Sequence, residues 1–137
     1  MCDAMLGRLA RYLRIMGYST KYSVEEDEKI LEGLGDCILL TRDKGLCSKA
    51  GPNCVYISSG DLKEQLAQLR LEIGLPLRLP ERPLRCSVCN GPLEYVGKVG
   101  DRELWRCKVC GQPYWMGSHI KRIKRTLEEV NKTLGFT

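Results

Sequence analysis

Two CxxC pairs, Cys86-Ser-Val-Cys89 and Cys107-Lys-Val-Cys110, separated by seventeen residues, constrain this chain of 137 residues more than any other feature. The spacing is that of two knuckles closing a tetrahedral Zn²⁺ site. Asn90-Gly91 and Gly111 follow the second cysteine of each pair, where a tight turn directs backbone N–H groups at the sulfurs. Four thiolates leave no open position for water, so this zinc is expected to be structural and not catalytic. Leu93 to Val96 and Glu103 to Arg106 have strand character, with Gly97 to Asp101 as a hairpin turn, so residues 86–117 form a small zinc ribbon. A unit of this size buries little apolar surface, and the metal supplies much of its folding energy. Thiol redox chemistry typically uses one CxxC at a helix start, so two pairs with knuckle glycines argue against it. His119, the single histidine, could be an alternative ligand, a helix-start residue or a phosphate-facing one. Tyr95, Trp105, Tyr114 and Trp115 could stack nucleobases or cover a small core.

Paired CxxC spacing points to metal binding in a reducing compartment, not to a secreted disulfide framework. Cys2, Cys37, Cys47 and Cys54 are scattered. Cys37 and Cys54 open strand-like runs and read as small buried hydrophobes, with a Cys47–Cys54 disulfide as the alternative. Nothing resembles a signal peptide, and the longest apolar runs, such as Cys37 to Leu40, are far short of the roughly 18 residues of a membrane span. A soluble, cytoplasmic protein with no membrane partner is expected. The net charge of +5 is unevenly spread: residues 1–73 carry 10 Lys+Arg against 11 Asp+Glu, and residues 74–137 carry 12 against 6. The basic second half suits a phosphate-binding surface, although an ordinary solvated face would look the same.

Leu6, Leu9, Leu13 and Met16 recur at three- and four-residue steps, which predicts an amphipathic helix over 4–16 ended by Gly17. Arg8, Arg11 and Arg14 fall on its other side, toward phosphates or solvent. Thr20 to Ser23 reads as a short strand, and the acids Glu25 to Glu28 open a second helix reaching Leu34. Cys37 to Thr41 and Cys54 to Ser58 are apolar runs of the kind found in strands covered on both faces, with a short helix over 44–49 and a Gly51-Pro52-Asn53 turn between them. Asp61 with Glu64 makes a capping-box start for a helix over 62–73, stopped by Gly74. Strands alternating with helices over 1–74 predict an α/β domain with a parallel sheet flanked by helices. Pro76, Pro80 and Pro83 make residues 75–85 a linker. Residues 118–137 form a last, basic helix, capped by Ser118, whose stripe Ile120, Ile123, Leu127, Val130 and Leu134 packs on the body and leaves Lys121, Arg122, Lys124 and Arg125 exposed.

Parallel α/β sheets build their sites at the carboxyl ends of the strands. Asp3 precedes the first helix, Asp27 opens the second, Asp43 follows the Cys37–Thr41 run and Asp61 follows the Cys54–Ser58 run. Each alone could be a helix N-cap. Together they suit hard, oxygen-liganded Mg²⁺ or Mn²⁺, which activates water and neutralises a phosphodiester.

Four segments in order, Asp3 to Tyr18, Asp27 to Leu31, Ile38 to Asp43, and the ribbon with Tyr114-Trp115-Met116-Gly117-Ser118-His119, resemble the Mut7-C RNase domain family, a PIN-like nuclease fold with a C-terminal zinc ribbon. The resemblance implies a metal-dependent ribonuclease in which Asp3, Asp27 and Asp43 match the family's acidic positions and Asp61 is a fourth candidate. It implies that the acids hold Mg²⁺ or Mn²⁺ and that bound water attacks phosphorus. Arg8, Arg11 and Arg42, the ribbon and the basic last helix would grip the RNA backbone. Only Met1 and Cys2 precede Asp3, so the first strand is expected to be truncated or unusually short. The rival expectations are an inactive PIN-like module that docks on RNA or ribosomes, and the toxin half of a toxin–antitoxin pair, against which the ribbon argues.

Overall fold

A computed structural model describes residues 6–115 and 118–135, with Ser118 and His119 described in backbone only. Helix α1 (Gly7–Ile15) turns Leu9, Ala10 and Leu13 inward. It ends at Gly17, whose φ of +98° lets the Tyr18 N–H reach back to the Leu13 carbonyl at 2.9 Å. Residues 20–23 hold a single bridge residue, Tyr22, and no strand among the described residues. Helix α2 (Asp27–Glu32) ends two residues before the expected Leu34.

Strands β1 (Leu39–Thr41) and β2 (Cys54–Tyr56) pair in parallel, with Leu39 opposite Cys54 and Thr41 opposite Tyr56. They are joined by helix α3 (Lys44–Ala50) and a 3-10 turn, Gly51–Asn53. All three residues of β1 are buried, as its apolar run requires. Neighbouring side chains serve opposite faces: Leu39 packs with Ile30, Leu34 and Leu46 of the α2–α3 side, and Leu40 joins the larger core of α1 and α4 (Leu62–Ile73). The larger core holds Leu6, Leu9, Leu13, Leu66 and Leu69 and is closed by Ile123, Leu127 and Val130 of α5 (Ser118–Thr133). The expected apolar stripe of the last helix thus becomes one wall of the first unit's core. Fully burying an Ile, Leu or Val side chain contributes about 2 kcal/mol, so this wall matters to the whole fold.

Residues 75–85 run without regular structure but are tied down. Leu77 is buried, its carbonyl accepts from Asn131 Nδ2 at 2.9 Å, and the Tyr18 hydroxyl donates to the Pro76 carbonyl at 2.9 Å. A three-stranded antiparallel sheet follows, in the order β3 (Leu93–Val99), β4 (Arg102–Cys107), β5 (Pro113–Trp115). The hairpin turn is tighter than expected, Gly100–Asp101, because Gly97 (φ +142°) is absorbed into a bulge in β3.

The remaining cysteines differ from expectation. Cys37 is exposed, and Cys47 and Cys54 are joined by a disulfide. The reason is local geometry: α3 and the turn after it fold back so that the first residue of β2 lies beside the helix, with the two Cα atoms 5.5 Å apart. No helix among the described residues is long and apolar enough to cross a membrane.

Candidate metal centre and acidic edge

The hairpin sheet brings Cys86, Cys89, Cys107 and Cys110 together, with all four sulfurs within 4.8 Å of one another. Cys86 and Cys110 Sγ are 3.6 Å apart, and Cys89 and Cys107 Sγ 3.4 Å. Zinc–sulfur bonds of about 2.3 Å in a tetrahedron place sulfurs about 3.8 Å apart, so the set fits a metal such as zinc. Turn backbone supports the sulfurs as expected: the N–H groups of Val109 and Cys110 both point at Cys107 Sγ from 3.4 Å.

The knuckle residues divide their work differently from the sequence expectation. In the first knuckle the left-handed residue is Asn90, at φ +69°, and not Gly91. Gly91 is needed for space, because a Cβ there would stand 2.9 Å from Val109 Cγ2 and 3.0 Å from Cys107 Sγ. In the second knuckle Gly111 takes the left-handed turn, at φ +78°.

Tyr114 has a role that no local sequence signal marks. Its hydroxyl lies 2.9 Å from Cys86 Sγ and accepts from the Ser87 N–H at 2.8 Å. Burial pushes the Cys86 thiol up most, yet the Tyr114 hydroxyl and the Cys89 and Val88 N–H groups outweigh it and hold the thiol below its ordinary value. Burial likewise pushes Cys107 up, but the N–H groups of Cys110 and Val109 bring it down to about 7. Trp105, a stacking candidate in the sequence, is buried and meets Tyr95 edge-on at 5.4 Å, so it covers the small core.

Arg14 corrects the expected phosphate-facing side of α1. It is buried: its Nε donates to the Thr20 carbonyl at 2.7 Å, and one Nη donates to the carbonyls of Ser87 and Val88 at 3.0 and 3.1 Å. Asn90 Oδ1 accepts from the Thr20 N–H at 2.9 Å, and Arg85 donates to the Gly17 carbonyl at 3.2 Å. The first cysteine knuckle is therefore strapped to the exit of α1. Arg8 and Arg11 remain exposed.

Because β1 and β2 are parallel and in register, the chain leaves both at one edge. There Asp43 caps α3, accepting the Leu46 N–H at 3.1 Å, and Asp61 caps α4, accepting the Glu64 N–H at 3.1 Å. Each cap uses one carboxylate oxygen. The reciprocal arm of the capping box is replaced: Glu64 bonds the Ser59 hydroxyl, which accepts from the Asp61 N–H at 3.0 Å. Asp27 is not a cap. It is the half-buried first residue of α2, with no hydrogen-bond partner among the described residues. Arg42 is half-buried beneath the β2–α4 loop, its guanidinium 3.3 Å from where a Cβ on Gly60 would stand, and its buried Nε has no partner among the described residues. Asp27, Asp43 and Asp61 do not by themselves close into a three-ligand group; among the described residues only the four cysteines do. Asp3 lies outside the described residues, as do Met116 and Gly117 and the side chains of Ser118 and His119. Lys121, Arg122, Lys124 and Arg125 are exposed on α5.

The structure defines a mixed α/β protein with a small parallel sheet, two capping acids at its edge and a four-cysteine cluster that could hold a metal such as zinc. The family model for the Mut7-C RNAse domain matches residues 1–127, and the chain belongs to that family. Membership points to a nuclease or RNA-related function with RNA as substrate. No curated protein and no solved structure shows a significant match to the chain.

Proposed function

We propose that the chain is a metal-dependent ribonuclease that hydrolyses RNA phosphodiester bonds, built as a PIN-like domain over 1–74, a linker over 75–85, a zinc ribbon over 86–117 and a basic helix over 118–137. The observation that carries this is the family match across residues 1–127, taken with the in-register parallel pair that sends Asp43 and Asp61 to one sheet edge. Asp3, Asp27 and Asp43 would hold Mg²⁺ or Mn²⁺, with Asp61 beside them. Asp27 sits in the first turn of α2, where its charge suits the helix dipole, and makes no hydrogen bond among the described residues, so its carboxylate oxygens are not spent on a cap. When bound, such an ion supplies an activated water and neutralises charge at phosphorus. The carboxylates fix the position of that charge, Arg8, Arg11 and Arg42 counter the phosphates, and the basic face of α5 adds non-specific attraction. Zinc in the four-cysteine site holds the ribbon's shape. A cytoplasmic setting rests on the CxxC pairs; the Cys47–Cys54 disulfide weighs against a fully reducing one.

The test is Asp43→Asn. Asparagine caps helices as well as aspartate does, so α3 keeps its start while the carboxylate charge is lost. Mn²⁺-dependent cleavage of RNA is expected to disappear with the fold intact; unchanged cleavage overturns the assignment. A second reading, an inactive RNA-binding module, is favoured by one observation: Asp43 and Asp61 each already spend an oxygen on a cap. It requires salt-sensitive RNA binding with no turnover in the unmutated chain.

A further inference from the structure

A groove of about 390 Å³ lies between the outer side of α1 and the first cysteine knuckle, bounded by Arg8, Arg11, Arg14, Tyr22, Ser87 and Val88. A second cavity of about 530 Å³ shares Arg14, Tyr22 and Val88 with it and adds Lys21 and Lys29, with Glu25 as its acid. The two form one trough. It runs from the arginines of α1 to the first turn of α2, where Asp27 stands two residues before Lys29.

Arg14 is already spent on carbonyls and fixes the far wall. Arg8, Arg11, Lys21 and Lys29 are exposed, and they give the trough a cationic lining spaced along its length. Tyr22, 38% accessible as a residue, sets one edge of its ring beside Gly7 at the start of α1, and Val88 presents an apolar rim that is 59% accessible. Spaced cations with an interleaved aromatic are what a phosphodiester strand with free bases requires. A duplex has stacked, paired bases and a broad convex surface, so it would ride over the rim without reaching Tyr22.

We propose that this trough holds a single-stranded segment of RNA, its phosphates against Arg8, Arg11, Lys21 and Lys29 and a base against Tyr22, with the first cysteine knuckle as the opposite wall. This rests on the ribonuclease reading for the choice of RNA, and adds the strand's path and its single-stranded state. It also gives the cysteine site a second duty, since the shape of the knuckle sets the width of the trough.

The test is fluorescence anisotropy of the zinc-loaded chain with a labelled uridine 12-mer, without added Mg²⁺ or Mn²⁺. The double variant Arg8→Gln/Arg11→Gln is expected to bind at least about tenfold more weakly and to lose about 1.4 from the slope of log affinity against log salt, two phosphate contacts to a single strand. Val88→Glu, a surface change on the knuckle, is expected to weaken binding similarly, whereas Lys49→Gln on α3 is expected to leave it unchanged. The trough is overturned if the double variant and Val88→Glu bind like the parent, if Lys49→Gln loses as much, if the loss appears only on replacing Lys121 and Arg125, or if duplex RNA binds more tightly than the 12-mer. A parent that cleaves RNA while its trough variants bind normally sinks the trough alone; a parent that neither binds nor cleaves RNA sinks the ribonuclease reading with it.

Discussion

Gly91 stands directly behind Cys107: a single added carbon on the glycine would come within 3.0 Å of the cysteine sulfur and 3.2 Å of Cys89 Sγ. Gly91→Ala is therefore expected to push one sulfur out of place and to weaken zinc binding about ten- to hundredfold, the range seen when support around a metal site is disturbed. Competition with a colorimetric chelator measures this. Gly111→Ala is also strained, but by its φ of +78° and not by crowding.

Arg14 sends three hydrogen bonds into carbonyls of two separate chain segments from a buried position. Arg14→Ala leaves those carbonyls without their charged partner and is expected to cost about 3 kcal/mol in urea unfolding. Arg14→Lys should recover only part of it, because one ammonium cannot reproduce the planar fork that spans Thr20 and the knuckle. Equal stability of the alanine variant and the parent would remove Arg14 as the strap.

Burial raises the Tyr18 phenol above its ordinary value, against a smaller opposing pull from Arg78. A raised folded value means that this contribution is fully present below about pH 10, the unfolded value, and is lost as pH climbs through the folded one. Ionisation also removes the proton that Tyr18 donates to the Pro76 carbonyl. Thermal unfolding between pH 9 and 11 should show a steeper alkaline loss in the parent than in Tyr18→Phe.

The Cys47–Cys54 bond closes a loop with a sequence separation of 7, for which the chain-entropy model gives about 2 kcal/mol. Cys54→Ser is expected to lower the melting temperature by several degrees. Dithiothreitol should lower the parent to the same value and leave the variant unmoved; a parent insensitive to reductant would contradict the bond.

Much of this was legible in the sequence because it is written in short-range periodicity. The bounds of α4 follow from Asp61 and Gly74, and the stripe from Ile120 to Leu134 announced the buried face of α5. The cysteine cluster was legible from spacing alone. What was not legible depends on contacts distant in sequence. Arg14 sits among other arginines on an otherwise polar side of α1, and nothing local says that the carbonyls of Ser87 and Val88 will come to it across 73 and 74 residues. Tyr114 reads as one more aromatic until β5 pairs with β4 and carries its hydroxyl to Cys86. Asp27 reads as a cap by composition, yet Glu26 takes that backbone position and leaves the Asp27 carboxylate unspent.

The core of the first unit is completed by Ile123, Leu127 and Val130, residues that come later in the chain than every cysteine of the cluster. A fragment ending at Gly74 would therefore leave Leu9, Leu66 and Leu69 without that wall, so the apolar interior of the first unit is complete only in a chain that also carries the cysteine cluster.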